Sequence, residues 1–446
     1  MQKNPKFQPN QSYWRHVIDA SNEPPLPSLK DHLNVDVALI GGGYTSLMCA
    51  WSLKKQQPNL SVAVLEAHDI GFGSSGRNAG MVLHDLHDNR VNKFGKDAVR
   101  FTYEKVVGVI DTIQTLTQTY EFDCDLEQNG YLELALYPSH VKDLEAKQKL
   151  YADYGQDFRV IDQQELQSEI HNPAFMSAGF YPHAAQLHPG KYILGLKKAA
   201  LAEGVQLFER TPVESLRQGE TVQLKTSQGS INASAVVLGL NAYHPASGLA
   251  PMHNRVVSLF SFIVMTEPLG SKLKDTLGWQ KRWGYSDMRH LHNYVRLVDE
   301  DRLLFGGRVR YRFGTSLNLQ QEQQMYQQLS EEFFKRFPML SGTRIDHRWC
   351  GSVAFNMTQT PTMGVTGRHQ NIYYSLGYSG MGVSLATLGG QVLADLYLGR
   401  GDRWEGLIYL EDKHLPLPPE PFKFIGFTSK YWWMRWQDFL DSRSKS

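Results

Sequence analysis

The stretch Val35-Asp-Val-Ala-Leu-Ile-Gly-Gly-Gly-Tyr-Thr-Ser-Leu-Met-Cys-Ala50 passes from a short apolar segment through three consecutive glycines into a helical pattern. Val35 to Ile40 reads as a strand, Thr45 to Lys55 as a helix stopped by Pro58, and Ser61 to Leu65 as a second strand closed by Glu66. Together they form a βαβ unit of about thirty residues, the size of a right-handed parallel crossover. Gly41 permits the tight turn and Gly43 lets the backbone approach a pyrophosphate. The helix that opens at Tyr44, Thr45 and Ser46 offers free N–H groups and the positive end of its dipole. Glu66 stands where an acid accepts hydrogen bonds from an adenosine ribose. Ser46 replaces the third glycine of such fingerprints and is small enough to keep helix and strand close. Strand, turn, helix and acid in register point to a bound dinucleotide.

Two further stretches favour a flavin over a nicotinamide cofactor. Gly71-Phe-Gly-Ser-Ser-Gly-Arg-Asn-Ala-Gly80 is a second glycine-rich loop just after Glu66, and Ser74, Ser75, Arg77, Asn78, Ala79 and Gly80 are its candidate contacts. An arginine among so many small residues fits anion contact better than a flexible surface loop. Late in the chain, Ile372 to Leu376 reads as a strand, Gly377-Tyr-Ser-Gly-Met-Gly382 as a turn, and Val383 to Leu398 as a helix. Gly377, Gly380, Met381 and Gly382 would set another helix N-terminus beside the cofactor, where oriented N–H groups stabilise the negative charge that flavin reduction creates.

Composition excludes several classes. The chain has 446 residues, 41% hydrophobic and 20% charged, and its 46 Lys and Arg nearly cancel its 45 Asp and Glu. No global field draws it to nucleic acid or to an anionic surface, so any preference for anions must be local. Cys49, Cys124 and Cys350 are far apart and form no metal-ligand spacing, so no metal site is expected and a reducing, cytoplasmic setting is. The polar start lacks the pattern of a signal peptide, and the longest uncharged run, Val37 to Leu53, has glycines at its middle, so no transmembrane segment is expected. Pro5, Pro9, Pro24, Pro25 and Pro27 suggest an extended N-terminal arm.

The segments VALIGGGYTSL, VLEAHDIGFGSSGRNAG, HPGKYILGLKKAALAEGV, ASAVVLGLNAYH, RLLFGGR, RWCG and LGYSGMG, in this order, resemble the D-amino-acid-oxidase-type FAD-dependent oxidoreductases, most of all their gamma-glutamylputrescine oxidoreductase branch. The resemblance covers residues 35–399 and implies an α/β fold, with a discontinuous Rossmann-like FAD-binding domain and an inserted substrate domain on an antiparallel or mixed sheet. The expected boundaries are an arm at 1–34, the FAD-binding domain at 35–95, 155–245 and 346–400, the substrate domain at 96–154 and 246–345, and an aromatic extension at 401–446. The resemblance also implies a backbone contact from Val213 to the adenine end. Two positions depart from it. Met381 stands where the family often has His, and Cys350 where it often has Ala. Cys350 matches the cysteine that links flavin covalently in monomeric sarcosine oxidases, but a small buried cysteine and a non-covalent cofactor are the preferred reading.

The implied reaction oxidises the C–H beside a nitrogen in a small amine or amino acid, and oxygen or another acceptor then takes the electrons. Flavin takes the hydride itself, so side chains mainly position the amine. Candidates in the inserted domain are His290, His292, Tyr294, Arg296, Arg308 and Arg310, with His84 and His87 after the glycine loop. Alternation places Tyr294 and Arg296 on one strand face. The arginine density from Tyr294 to Arg312 suggests a substrate with a carboxylate or phosphonate tail, for which Arg296 is the first candidate and Arg308 the second. The alternative is a catalytically silent flavin-binding subunit of a larger complex, docking through its aromatic C-terminus. That run, Phe424 to Leu440, reads foremost as an arm packed on the protein's own surface, with a dimer contact or a membrane-surface helix as the sharper readings.

Overall fold

The computed structural model describes residues 11–19, 26–249, 251–252, 254–311, 319–411 and 416–443. Most of the proline-rich arm, residues 1–10 and 20–25, and Arg312 lie outside the described residues.

The βαβ unit forms as its sequence dictates. The strand His32–Ile40 pairs in parallel with Val62–Leu65 on one side and with Ser230–Leu238 on the other. The parallel order extends to Gln206–Phe208 at one edge and to Ile372–Leu376 at the other, where Thr362–Thr366 adds an antiparallel strand. This central strand is apolar on both faces because both are covered. Val37 and Leu39 face the helices Tyr44–Gln56, Pro189–Ala202 and Gly382–Tyr397, while Ala38 and Ile40 face a second cluster that holds Leu224, Leu249 and Val256. The ends of the parallel strands therefore point the glycine turns at Gly41 and Gly377 toward one cleft.

The second sheet has eight strands and is mixed. Ile345–Phe355, Val257–Thr266, Arg302–Tyr311, Tyr294–Val298 and Gly284–Asp287 run antiparallel, and Tyr131–Ala135 then joins in parallel before Ser177–Tyr181 and Arg159–Ile161. The helix Leu319–Arg336 covers one face and buries Met325, Leu329 and Phe333.

Several expected boundaries move. Arg159–Ile161, Ser177–Tyr181 and Ile345–Phe355 belong to the substrate sheet, because their hydrogen-bond partners lie there. The helices Lys96–Val107 and Val109–Thr119 bury Val106, Ile110, Ile113 and Leu116 in the core of the cofactor domain instead. Leu407, Ile408 and Tyr409 join that same core, so the C-terminal extension proper is the helix Phe422–Arg443. Within the arm, residues 13–19 form a helix rather than an extended chain and insert Trp14 between the two domains.

Candidate active site

One cavity of about 1970 Å³ joins the glycine turns to the substrate sheet. Pockets for a single small ligand span roughly 300–1,000 Å³, so this one has room for a dinucleotide and a substrate together. At its cofactor end Gly41 turns with φ of +98°, a left-handed value that glycine takes without steric cost. The Gly42 N–H donates to Glu66 Oε2 at 2.6 Å and the His68 N–H to Oε1 at 2.9 Å. Burial pushes the Glu66 carboxyl up, against these N–H groups, which favour its charged form. Gly43 caps the helix Tyr44–Gln56 with no side-chain partner, and a Cβ there would stand 2.9 Å from Ser75 Oγ. Ser75 Oγ in turn accepts from the Tyr44 N–H at 3.1 Å. Thr45 and Tyr378 share a hydroxyl contact of 2.7 Å, which ties the first turn to the last. The helix Gly382–Tyr397 also opens onto the cavity, with Met381 as its N-cap and no capping bond from that side chain. Two helix N-termini and a glycine cradle thus fit the pyrophosphate and flavin of FAD.

Gly41, Gly43, Tyr44, Thr45, Glu66, Ser74, Ser75, Arg77, Asn78, Ala79, Val213, Gly380, Met381 and Gly382 all line the cavity, but Ser46, Gly80 and Gly377 do not. Ser46 packs under the strand Ser230–Leu238, where a Cβ on Gly239 would sit 2.0 Å from its hydroxyl. Gly80 bends away with its backbone against the Leu187 carbonyl, and Gly377 stands against Asn356. Arg77 lines the wall, yet its guanidinium donates to the carbonyls of Phe72 and Cys350 and lies over the Phe72 ring, so it braces the loop.

The carbonyls of that loop are taken up from outside the cavity. Ser12 donates to the Gly76 oxygen at 2.6 Å, Trp349 to that of Arg77 at 2.9 Å and Trp14 to that of Asn78 at 2.7 Å. Arg296 Nη1 donates to the oxygens of Ala79 at 3.0 Å, Gly80 at 3.3 Å and Leu187 at 2.7 Å. Arg296 is therefore not on the cavity wall as expected. It is buried with no carboxylate partner among the described residues, and burial pulls its guanidinium down to about 10. Its long side chain reaches the domain junction, whereas Tyr294, on the same strand face, faces the cavity.

Tyr294, His292, His290, Arg308 and Arg310 do line the substrate end. Tyr294 shares a 3.2 Å hydroxyl contact with Ser261, and burial pushes its phenol up to about 12, so it remains protonated. Arg308 Nε lies 3.1 Å from Glu332, which also takes Arg289 at 3.1 Å, and Arg289 holds Asp287 through two 2.8 Å bonds. Arg336 also reaches Asp287. Three guanidiniums, those of Arg289, Arg308 and Arg336, thus meet two carboxylates, while Arg310 donates to the Met325 sulfur at 3.7 Å, and the local balance is positive. Across the cavity Glu133 accepts from Lys147 at 2.7 Å and from Tyr181 at 2.8 Å. His84 lines this side with both ring nitrogens unpartnered among the described residues, while His87 turns away to Tyr409. Neither the Asp287–Arg289–Glu332 chain nor the Glu133–Lys147–Tyr181 group was anticipated from the sequence. The first had a local signal, Asp287 and Arg289 two residues apart, but the second depends on strand and helix partners distant in the chain.

Cys350 sits in the apolar core under the helix Leu319–Arg336, 3.9 Å from Glu322, and is not among the residues lining the cavity. Burial pushes its thiol up to about 11.

Fold and site define a dinucleotide-binding oxidoreductase with a second domain closing over the cofactor cleft. Residues 36–396 match the model of a family described as FAD dependent oxidoreductase, and the chain belongs to that family. It is 30% identical over 418 residues to a probable oxidoreductase OrdL of Haemophilus influenzae, covering 89% of this chain and 93% of that one. It is also 27% identical to the gamma-glutamylputrescine oxidoreductase of Escherichia coli, over 93% of this chain and 95% of the relative. Among solved structures, glycine oxidase from Geobacillus kaustophilus superposes with a TM-score of 0.71 at 19% identity, over 86% of this chain and all of that one, a likeness of fold.

Proposed function

We propose that the protein binds FAD non-covalently and oxidises a small primary or secondary amine, or an amino acid, that carries an anionic tail. The observation that carries this reading is the continuity of one cavity from the Gly41–Gly43 turn to the positively balanced wall of Arg308 and Arg310. When bound, FAD supplies a hydride acceptor for the C–H beside the substrate nitrogen. The chain's own residues then have four tasks. Arg308 and Arg310 hold the carboxylate or phosphonate. Tyr294, kept protonated, offers a hydrogen-bond donor near the bound amine. His84, whose ring burial holds down to about 4, adds no positive charge that would oppose a neutral amine. The two helix N-termini supply fixed dipoles toward developing negative charge. Water then hydrolyses the released imine to an aldehyde or oxo acid, and oxygen or another acceptor takes the electrons.

Anaerobic titration of the purified yellow protein with amines and amino acids, anionic-tailed and neutral, tests this. Bleaching by anionic-tailed amines supports it; no bleaching by any of them favours the silent flavin-binding subunit. Return of the colour on admitting air identifies oxygen as a competent acceptor. Acid precipitation should leave yellow flavin in the supernatant, and a pellet that stays yellow until Cys350→Ser is introduced would overturn the non-covalent assignment.

A further inference from the structure

The C-terminal helix Phe422–Arg443 is built inside out. An ordinary surface helix turns its apolar stripe to the core and its charges to water. Here Asp438 points inward and accepts from the backbone N–H groups of His290 at 2.8 Å and Leu291 at 3.1 Å, while Asp441 meets Ser139 at 3.2 Å. Phe427 stacks on Tyr311 on that same inner side. Ile425, Trp432, Trp436 and Phe439, at positions i, i+7, i+11 and i+14, form a stripe on the opposite face. They are 54%, 59%, 55% and 48% exposed, and Phe422 and Leu440 extend the patch. Arg435 lies over the Trp432 ring and Arg443 over that of Phe439. Both acids of the helix are engaged on the inner side, so the outward face is aromatic, aliphatic and purely cationic.

We propose that this face docks the protein on a lipid bilayer surface rich in anionic headgroups. Tryptophans with basic residues beside them are the composition of a helix lying in the membrane interface, where rings enter the headgroup region and cations meet lipid phosphates. No helix among the described residues is long and apolar enough to cross a membrane, so the contact is peripheral. A second copy of the chain fits this face less well, since a two-fold contact would set Arg435 and Arg443 against their own kind with no acid between them. Lys430, Tyr431, Met434 and Asp438, from the inner side of the same helix, and Arg435 at its edge line the cavity, so the helix stands between the cavity and the docked surface.

Flotation of the full-length yellow protein with vesicles of phosphatidylcholine, with and without phosphatidylglycerol, tests the inference. The protein should float with the anionic vesicles, shift its tryptophan emission to the blue, and detach at high salt. Trp432→Ala combined with Trp436→Ala, both outside the cavity, should weaken partitioning by about a hundredfold, the worth of two buried aromatic side chains, with flavin content unchanged. Three results each overturn the proposal: no flotation with either vesicle, equal binding of wild type and double variant, or a concentration-dependent self-association of the wild type that the double substitution abolishes.

Discussion

The indole Nε1 of Trp14 donates to the carbonyl of Asn78 across 2.7 Å, joining a helix near the start of the chain to the second glycine loop. It is one link in a row, since Ser12, Trp349, Trp14 and Arg296 take up the carbonyls of Gly76 through Gly80 in order. Donors outside the cavity turn the loop's acceptor atoms away from the side where an anionic cofactor must approach. This preorganises the loop without placing a charge in the cavity.

Arg296 holds the end of that row, so its removal should damage cofactor retention and stability rather than substrate choice. Arg296→Ala leaves buried carbonyls of Ala79, Gly80 and Leu187 without this donor, at about 1–3 kcal/mol for each that finds no other partner. The expected outcome is a lowered melting temperature and flavin lost on gel filtration, with anionic and neutral amines affected alike. A variant that keeps its flavin and melts like the wild type would show that the row is dispensable.

Gly43 is the position where a side chain meets the cofactor cradle most directly. Its added Cβ stands 2.9 Å from Ser75 Oγ, a hydroxyl already engaged by Tyr44. Gly43→Ala should bind flavin weakly and Gly43→Val should purify nearly colourless, both with native far-ultraviolet dichroism. Full flavin occupancy in the valine variant would argue against this turn as the pyrophosphate site.

The parts of this architecture that could be read in the sequence are those fixed by neighbours in the chain. Strand, glycine turn and helix at residues 32–56 and 372–397 follow from local periodicity and from backbone angles that Gly41 and Gly377 take with ease. Membership of a sheet depends on partners far away: Ser177–Tyr181 belongs to the substrate sheet through its pairing with Tyr131–Ala135, and Arg159–Ile161 through its pairing with Ser177–Tyr181, neither of which is legible in the local pattern. Alternation correctly put Tyr294 and Arg296 on one face, but only the packed domains reveal that Arg296 ends beneath a loop while Tyr294 faces the cavity. The C-terminal helix does lie across the protein's surface, as expected. Its aromatic stripe nevertheless points outward, because the inner contacts are made by Asp438, Asp441 and Phe427.

Acid should weaken the fold through His84. Burial lowers its folded value to about 4 from an ordinary 6.5, with His183 adding to the shift and Asp85 opposing it. Between those values the unfolded chain holds the extra proton, so this contribution is complete above about pH 6.5 and is lost as pH falls toward 4. The loss is on the order of 2–3 kcal/mol. His84→Phe, whose ring fits between Tyr103 and Tyr181, should flatten the pH dependence of the urea midpoint across that window. An unchanged slope would assign the acid sensitivity to other buried histidines such as His188 and His347.

Arg308 is the residue on which substrate choice should turn. It lines the cavity beside Arg310, and its neighbour Glu332 is shared with Arg289, which leaves the wall with an excess of positive charge. A charge-assisted bond from such a guanidinium contributes roughly 1.5–3 kcal/mol, so losing it should lower kcat/KM for an anionic-tailed amine by about ten- to a hundredfold. Arg308→Gln keeps a long polar side chain and removes the charge. Its activity on the neutral analogue should hardly change, and the ratio between the two substrates should collapse. Arg308→Lys keeps the charge without the two-pronged geometry and should fall between them. Arg296→Ala serves as the contrast, since it acts through the loop and should lower both activities together. If the wild type reduces its flavin equally fast with the anionic amine and its neutral analogue, or Arg308→Gln leaves their ratio intact, the anionic tail is wrong and the Glu133 side of the cavity becomes the place to look for recognition of a cationic one.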